Sequence, residues 1–211
     1  MAMSDTFEGL PVFLQTVSSV INLPVSPVTV GISNSYQMIG KNWQRKESEN
    51  RQYLNRIVTQ TYMFESIFDA FEMKNFFTAR KGSYDRFFVP IWLYNYASPS
   101  TQSSTTSLKI NIGLRNDFIS SNNITYKNLL IFEDNLGSTR QYSRINSLTA
   151  ATGTTGYDTA TLKQAVTVKR DSLITEVMLC RFAVDEMTIQ AVKGGMYSIE
   201  TSFMELQGRQ S

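Results

Sequence analysis

Between residues 51 and 64 the chain alternates with period two. Leu54, Val58, Tyr62 and Phe64 fall on one face, and Tyr53, Ile57, Thr59, Thr61 and Met63 on the other. Alternation in β-branched and aromatic residues predicts a strand. The pattern then changes to a helical one. Ser66 is an N-cap residue with Asp69 three positions on, a variant of the capping box. Ile67, Phe68, Phe71, Phe76 and Phe77 form a broad apolar stripe, Arg80 and Lys81 follow, and Gly82 can take a left-handed C-cap. The predicted helix spans residues 67–81.

Strand signals resume at residues 84–96, which carry Phe87, Phe88, Trp92, Tyr94 and Tyr96, with Pro90 marking an edge or a bulge. Further strands are expected at 108–114, 126–132, 140–148, 166–168 and 176–182. Residues 187–192 and 196–206 form a hairpin around Gly194-Gly195. Two stretches poor in apolar residues, 98–107 and 149–161, read as surface loops. The expected fold is mainly β: an antiparallel β-sandwich with one amphipathic helix packed on a sheet.

The first 35 residues read differently. Pro11, Pro24 and Pro27 punctuate short apolar runs, which suits edge strands or an irregular wrapping segment. The domain plan is therefore an extended arm over 1–35 and a single β-rich domain over 36–211. The arm is too apolar to stay in water and has too many prolines for a central strand. Phe7, Leu10, Val12, Phe13, Leu14, Val28 and Val30 are accordingly the candidate intersubunit contacts, against the competing reading that the arm covers its own domain.

Composition narrows the function. The chain has 211 residues, 42% hydrophobic and only 18% charged. So few charges fit a surface used for packing against other proteins. The net charge of +2 leaves no footprint for specific nucleic-acid binding, and Arg45, Lys46 and Arg51 are interrupted by Glu47 and Glu49. No apolar run reaches membrane-spanning length, and no charged leader segment opens the sequence, so synthesis and folding in a cytoplasm are expected.

The chain contains no histidine and a single cysteine, Cys180, in an apolar run. That removes Ser-His and Cys-His nucleophile pairs and His- or Cys-rich metal sites. No phosphate-binding loop or dinucleotide fingerprint is present. The adjacent acids Asp185-Glu186 and Glu133-Asp134 would point to opposite faces of a strand and could not flank one bond. No catalytic, cofactor-binding or metal-binding residue is assigned, and a non-enzymatic protein is expected. Tyr94 and Tyr96 are the aromatics placed best for exposure, as sugar stacking would need.

The segment Phe76-Phe77-Thr78-Ala79-Arg80-Lys81-Gly82, followed by Phe87-Phe88-Val89-Pro90-Ile91-Trp92, resembles a pattern of phage tail-tip proteins. These are the minor tail protein M type of lambda-like phages, the distal tail proteins, and related tail proteins of gene transfer agents. Leu179-Cys180-Arg181-Phe182-Ala183-Val184-Asp185-Glu186-Met187-Thr188-Ile189 and the last strand with Glu205 are similar to that family's C-terminal part. The resemblance implies a structural protein of the virion tail. It would form a ring with itself, often a hexamer, at the tail tip or baseplate, and contact tail-tube and tip proteins. The alternative reading is a carbohydrate- or receptor-binding β-sandwich module at the tail tip.

Overall fold

The computed structural model describes residues 5–13, 16–17, 20–21, 23–33, 55–111, 128–132, 139–149, 156–170 and 172–206; strand residues 16–17, 20–21, 26–28, 30–33, 55, 93–95 and 111 are described by backbone alone. The first hairpin joins β1 (Thr6–Phe7) to β2 (Leu10–Pro11) through Glu8 and Gly9, with φ of 49° and 76°. Two left-handed residues in a two-residue loop match the twist of paired strands, and Gly9 takes that conformation without steric cost. A second short hairpin pairs β3 (Thr16–Val17) with β4 (Val20–Ile21). The main elements follow as β5 (Val25–Ser33), β6 (Asn55–Phe64), α1 (Ile67–Ala79), β7 (Phe87–Ala97), β8 (Gln102–Asn111), β9 (Asn128–Phe132), β10 (Arg140–Thr149), β11 (Tyr157–Val168), β12 (Leu173–Phe182), β13 (Gln190–Val192) and β14 (Met196–Glu205).

The fold is mainly β, an antiparallel sandwich with one helix. Its strand order is β5-β6-β14-β12-β9-β10-β11-β8, with β7 on β12 and β13 on β14. Strand β12 is the spine. One edge pairs with β7 from Leu173 to Cys180. Its other edge is shared: Ile174 to Val177 pair with β9, and Cys180 to Phe182 pair with β14. The sheet therefore divides at β12 into two halves, each with its own core. Beneath α1, Val58, Tyr62, Phe64, Phe182, Ile199 and Phe203 pack with Ala70 and Met73. At the other end, Leu108, Ile110, Leu129, Ile145, Leu162 and Ile174 pack together with Tyr96.

The alternation expected in β6 is present: Val58, Tyr62 and Phe64 are buried, and Ile57, Thr59, Thr61 and Met63 are half-buried. Residues 51–54, with Tyr53 and Leu54, lie outside the described residues. Pro90 does mark a bulge. The β7–β12 register jumps between Val177↔Pro90 and Thr175↔Asn95. Pro27 lies within a second irregularity, on the edge strand β5, between Val25↔Thr61 and Thr29↔Thr59. The hairpin around Gly194-Gly195 forms as β13 and β14.

Several expectations are corrected. Residues 102–107 belong to β8, and Ser98 is fully buried, so 98–107 is not simply a loop. Residues 157–161 open β11, which shortens the expected 149–161 loop; positions 150–155 lie outside the described residues. Serine and threonine fill these strand positions because the outer side of a sheet tolerates them where the opposite side is apolar.

The extended arm is the largest correction. Phe7, Val12 and Phe13 are buried within this chain, Leu10 packs against the same cluster, and β5 is a strand of the main sheet. Val12 forms a parallel bridge to Phe88, and the Phe13 amide donates to the Phe88 carbonyl at 2.7 Å. The Phe13 ring lies 5.2 Å from Phe76, 5.4 Å from Phe203 and 5.7 Å from Tyr62. Phe7, Val12 and Phe13 are satisfied by their own domain because β7 offers an open edge beside them, whereas Leu23 and Val25 stay partly exposed. Leu14 lies outside the described residues, and the side chains of Val28 and Val30 do too.

Phe13→Ala is accordingly expected to cost about 3–5 kcal/mol, as for other buried phenylalanines. Phe71→Ala, on the exposed side of α1, should stay within about 0.5 kcal/mol. Urea denaturation of the two variants checks the ranking, and equal midpoints would overturn it.

Candidate assembly surface

Helix α1 begins as its sequence requires. Ser66 is extended, at φ −121° and ψ 136°, and its hydroxyl accepts from the Phe68 amide at 3.2 Å. Asp69 lies in the first turn, where the helix dipole favours its charge. The helix ends at Ala79 with Arg80 as cap, so Arg80 and Lys81 are not in the last turn as expected. The Lys81 amide donates to the Thr78 carbonyl at 3.0 Å and the Gly82 amide to the Phe77 carbonyl at 3.1 Å. These are the two bonds of a Schellman cap. Lys81 and Gly82 are both left-handed, at φ 53° and 60°. A Cβ on Gly82 would meet the Phe77 ring at 3.3 Å, so glycine also permits the close return of the chain.

The stripe of α1 does not face inward as a whole. Ala70 and Met73 are buried and Phe76 and Phe77 half-buried, with Phe77 4.9 Å from Phe182. Phe68 is 77% exposed and Phe71 46%. The expectation that Phe71 packs into the core is thus corrected. The phenylalanines are distributed around the helix, and only one side can face the sheet.

On the far side of the same sheet, Ile57 and Met63 of β6 share a face with Met196 and Met204 of β14 and Val192 of β13. The registers Ile57↔Met204, Met63↔Ser198 and Val192↔Met196 place them there. Val192 and Met196 are 37% and 38% exposed.

The two end strands of the main sheet differ at their outer edges. The Gln102 amide group donates to the Lys109 carbonyl and accepts from the Lys109 amide, both at 2.9 Å. The Thr105 hydroxyl engages both main-chain groups of Ser107. Strand β8 thus occupies its outer backbone with its own side chains, one way in which an edge avoids pairing. Strand β5 carries Pro27, which has no amide to offer.

Where the sheet divides, a buried ion triad fills the inner face. The Arg56 guanidinium donates to Glu176 at 2.7 Å and to both carboxylate oxygens of Glu205 at 2.7 Å. Burial by itself lowers the pKa of Arg56. The charges and hydrogen bonds of Glu176 and Glu205 outweigh that and hold it above its ordinary value. Glu176 stands on β12 between Ile174 of one core and Met178 of the other, so the triad separates the two. A second polar pair, Gln60 and Tyr62, serves the β7 bulge. The Gln60 amide donates to the carbonyls of Pro90 and Ile91 at 3.0 and 3.1 Å, and the Tyr62 hydroxyl donates to Gln60 at 2.6 Å. Burial raises the Tyr62 pKa, so its hydroxyl stays protonated. Sequence reading missed both groups, because a polar residue in an alternating strand looks solvent-facing until its partners are known.

The N-terminal hairpin is tied to β10 by charge. Asp5 accepts from Arg140 at 2.7 Å and from the Tyr142 hydroxyl at 2.8 Å, and Glu8 pairs with Arg144. Cys180 is buried, and burial raises its thiol pKa, which leaves it poorly reactive. Among the described residues, no group of three or more His, Cys, Asp or Glu side chains could hold a metal ion, and no helix is long and apolar enough to cross a membrane. Tyr96 is buried in the second core, which corrects its expected exposure; the Tyr94 side chain, Glu133 and Asp134 lie outside the described residues. Asp185 accepts a hydrogen bond from Ser83.

No protein-family model matches this chain, and no curated protein matches it.

Arg56→Met leaves two carboxylates buried without their cation and is expected to cost about 3–5 kcal/mol. Replacing Arg56, Glu176 and Glu205 together by apolar residues should recover most of that loss, because the unpaired charges go with their partner. Thermal unfolding of both variants distinguishes a charge penalty from lost packing; a triple variant as unstable as Arg56→Met would show that packing dominates. Gln102→Ala frees both main-chain groups of Lys109. It should lower stability by only about 0.5–1.5 kcal/mol yet increase concentration-dependent aggregation, read by light scattering. Unchanged scattering would mean that Gln102 does not guard the edge.

Proposed function

We propose that this chain is a non-enzymatic structural protein of a phage tail, forming a ring at the tail tip or baseplate that joins the tail tube to the tip complex. The observation that carries this reading is the β6–α1–β7 unit. Its residues resemble the phage tail-tip pattern, and they pack as one piece: a strand, a helix closed by Arg80-Lys81-Gly82, and a return strand bulged at Pro90. The low charge content and the exposed apolar side chains on α1 and β14 fit a protein that packs against other proteins. Its partners on this reading are further copies of itself, in a hexamer, and the tail-tube and tip proteins above and below. Its place is the virion tail, reached after synthesis in the host cytoplasm. Specific nucleic-acid binding and membrane insertion form no part of the role.

The sugar- or receptor-binding alternative loses one of its two named aromatics, since Tyr96 is buried. Purified full-length chain, examined by negative-stain electron microscopy and light scattering, is expected to show closed rings whose mass is a whole multiple of the chain's own. A monomer at every concentration up to the solubility limit would reject the ring.

A further inference from the structure

We infer that the outer edge of β5 pairs antiparallel with the same edge of a second copy, so that one sheet runs through both chains. The inference stands apart from the ring reading: a two-fold pair can exist alone or as the unit from which a ring is built.

The first observation is which edge is left. Strand β8 bonds its outer backbone to its own side chains through Gln102 and Thr105. Strand β13 has three residues and is followed by Lys193. Strand β7 receives Val12 and Phe13 on the edge away from β12. Shortness, charge and cover are the usual means of keeping an edge from pairing. Strand β5 has nine residues and, among the described residues, pairs with β6 alone. Its irregularity at Pro27 ends at Thr29. From Thr29 to Ser33 the ladder with β6 is unbroken and free of proline. A run of that length is common for a strand.

The second observation is charge. Residues 9–40 contain no Asp, Glu, Lys or Arg, in a chain that is 18% charged. The edge therefore lacks the charged side chains, lysine above all, that ordinarily repel a second strand. Leu23 and Val25, at the start of β5, are each 39% exposed and add apolar surface at the same margin.

The third is self-complementarity. Identical strands that pair antiparallel are related by a two-fold axis, so the contact satisfies both copies at once and grows no further. A register centred on Gly31 sets Thr29 against Ser33 of the second copy and Val30 against its Ile32. Threonine opposite serine is a favourable cross-strand pair, and Val30 and Ile32 are β-branched residues that suit a sheet. A register centred on Val30 would set Ser33 against Pro27, which has no amide to offer. One centred on Ile32 would carry Thr29 and Val30 past the end of the strand at Ser33. The register at Gly31 is the one that uses the whole proline-free run. It adds roughly four to six backbone hydrogen bonds.

The test places charge on either side of the axis in the full-length chain. Thr29 is exposed, and Ser33 ends the strand. The double variant Thr29→Lys with Ser33→Lys opposes lysine to lysine twice. Thr29→Lys with Ser33→Glu opposes lysine to glutamate twice. Sedimentation velocity over a concentration series should show the parent and the Lys–Glu variant as dimers, or as larger species with an even number of chains. The Lys–Lys variant should associate at least about tenfold more weakly. Folded variants that associate equally overturn the inference. Should the lysines lower the melting temperature, hydrogen exchange on the parent decides. The amides of residues 29–33 that face away from β6 should lose protection as dilution separates the copies, while those of β12 keep it. Protection that survives in the monomer would mean that the chain covers this edge itself, and the inference fails. Rings with an odd number of chains would overturn the two-fold pair and leave the ring reading standing. Dimers without rings would uphold the pair and remove the ring. A parent that is monomeric at every concentration removes both.

Discussion

The structure depends on how one strand is shared. Strand β12 pairs with β7 from Leu173 to Cys180 on one edge but divides the other between β9 and β14. A ladder that divides must satisfy the polar groups at the division, since buried unpaired groups cost more than a hydrogen bond contributes. Arg56, Glu176 and Glu205 meet there, held by three hydrogen bonds of 2.7 Å. A planar guanidinium can engage two carboxylates at once where a lysine could not do so with the same geometry. The triad lets the two cores lie against each other without merging.

Side chains supply missing ladder partners at other places in the sheet. Gln60 supplies the carbonyls left by the bulge at Pro90. Gln141 holds both main-chain groups of Thr167, at 2.7 and 2.9 Å, where the β11–β8 register shifts between Val166 and Val168. Gln102 holds both groups of Lys109 on the outer edge of β8. A side-chain amide has the donor and acceptor of a peptide group, so glutamine can stand in for a missing strand. A chain with few charges and many amides can bend and close its sheet without burying further ions.

For the proposed role, the consequence lies in what remains exposed. With β1 and β2 strapped by Val12 and Phe13 to β7, the outer side of β12 is covered by Phe7, Val12 and Leu10. The outer side of β6 and β14 mixes Ile57, Met63, Met196 and Met204 with Thr59, Thr61, Ser198, Glu200 and Ser202, and α1 turns Phe68 and Phe71 to solvent. Exposed apolar side chains are favoured when another surface removes them from water. The edge of β8, by contrast, is occupied.

Local chemistry was legible in the sequence wherever it acts over a few residues. The alternation of Val58, Tyr62 and Phe64, the Ser66 cap, the turn at Gly194-Gly195 and the bulge at Pro90 all follow from short-range sterics and hydrogen bonding. So does the fold class, since most segments carry a strand period. Tertiary structure decided which side of α1 faces inward, because phenylalanines on several sides give no unique direction until Ala70 and Met73 find the sheet. It decided that Phe7, Val12 and Phe13 belong to their own core, because the open edge of β7 that receives them lies some 75 residues along the chain, and no local period records it. It also decided that Arg56, Glu176 and Glu205 meet, residues separated by 120 and 149 positions, whose charges look like solvent-facing positions until the folded sheet brings them together. Sequence by itself determines what can be settled between near neighbours; contacts between distant segments exist only once the chain has closed on itself.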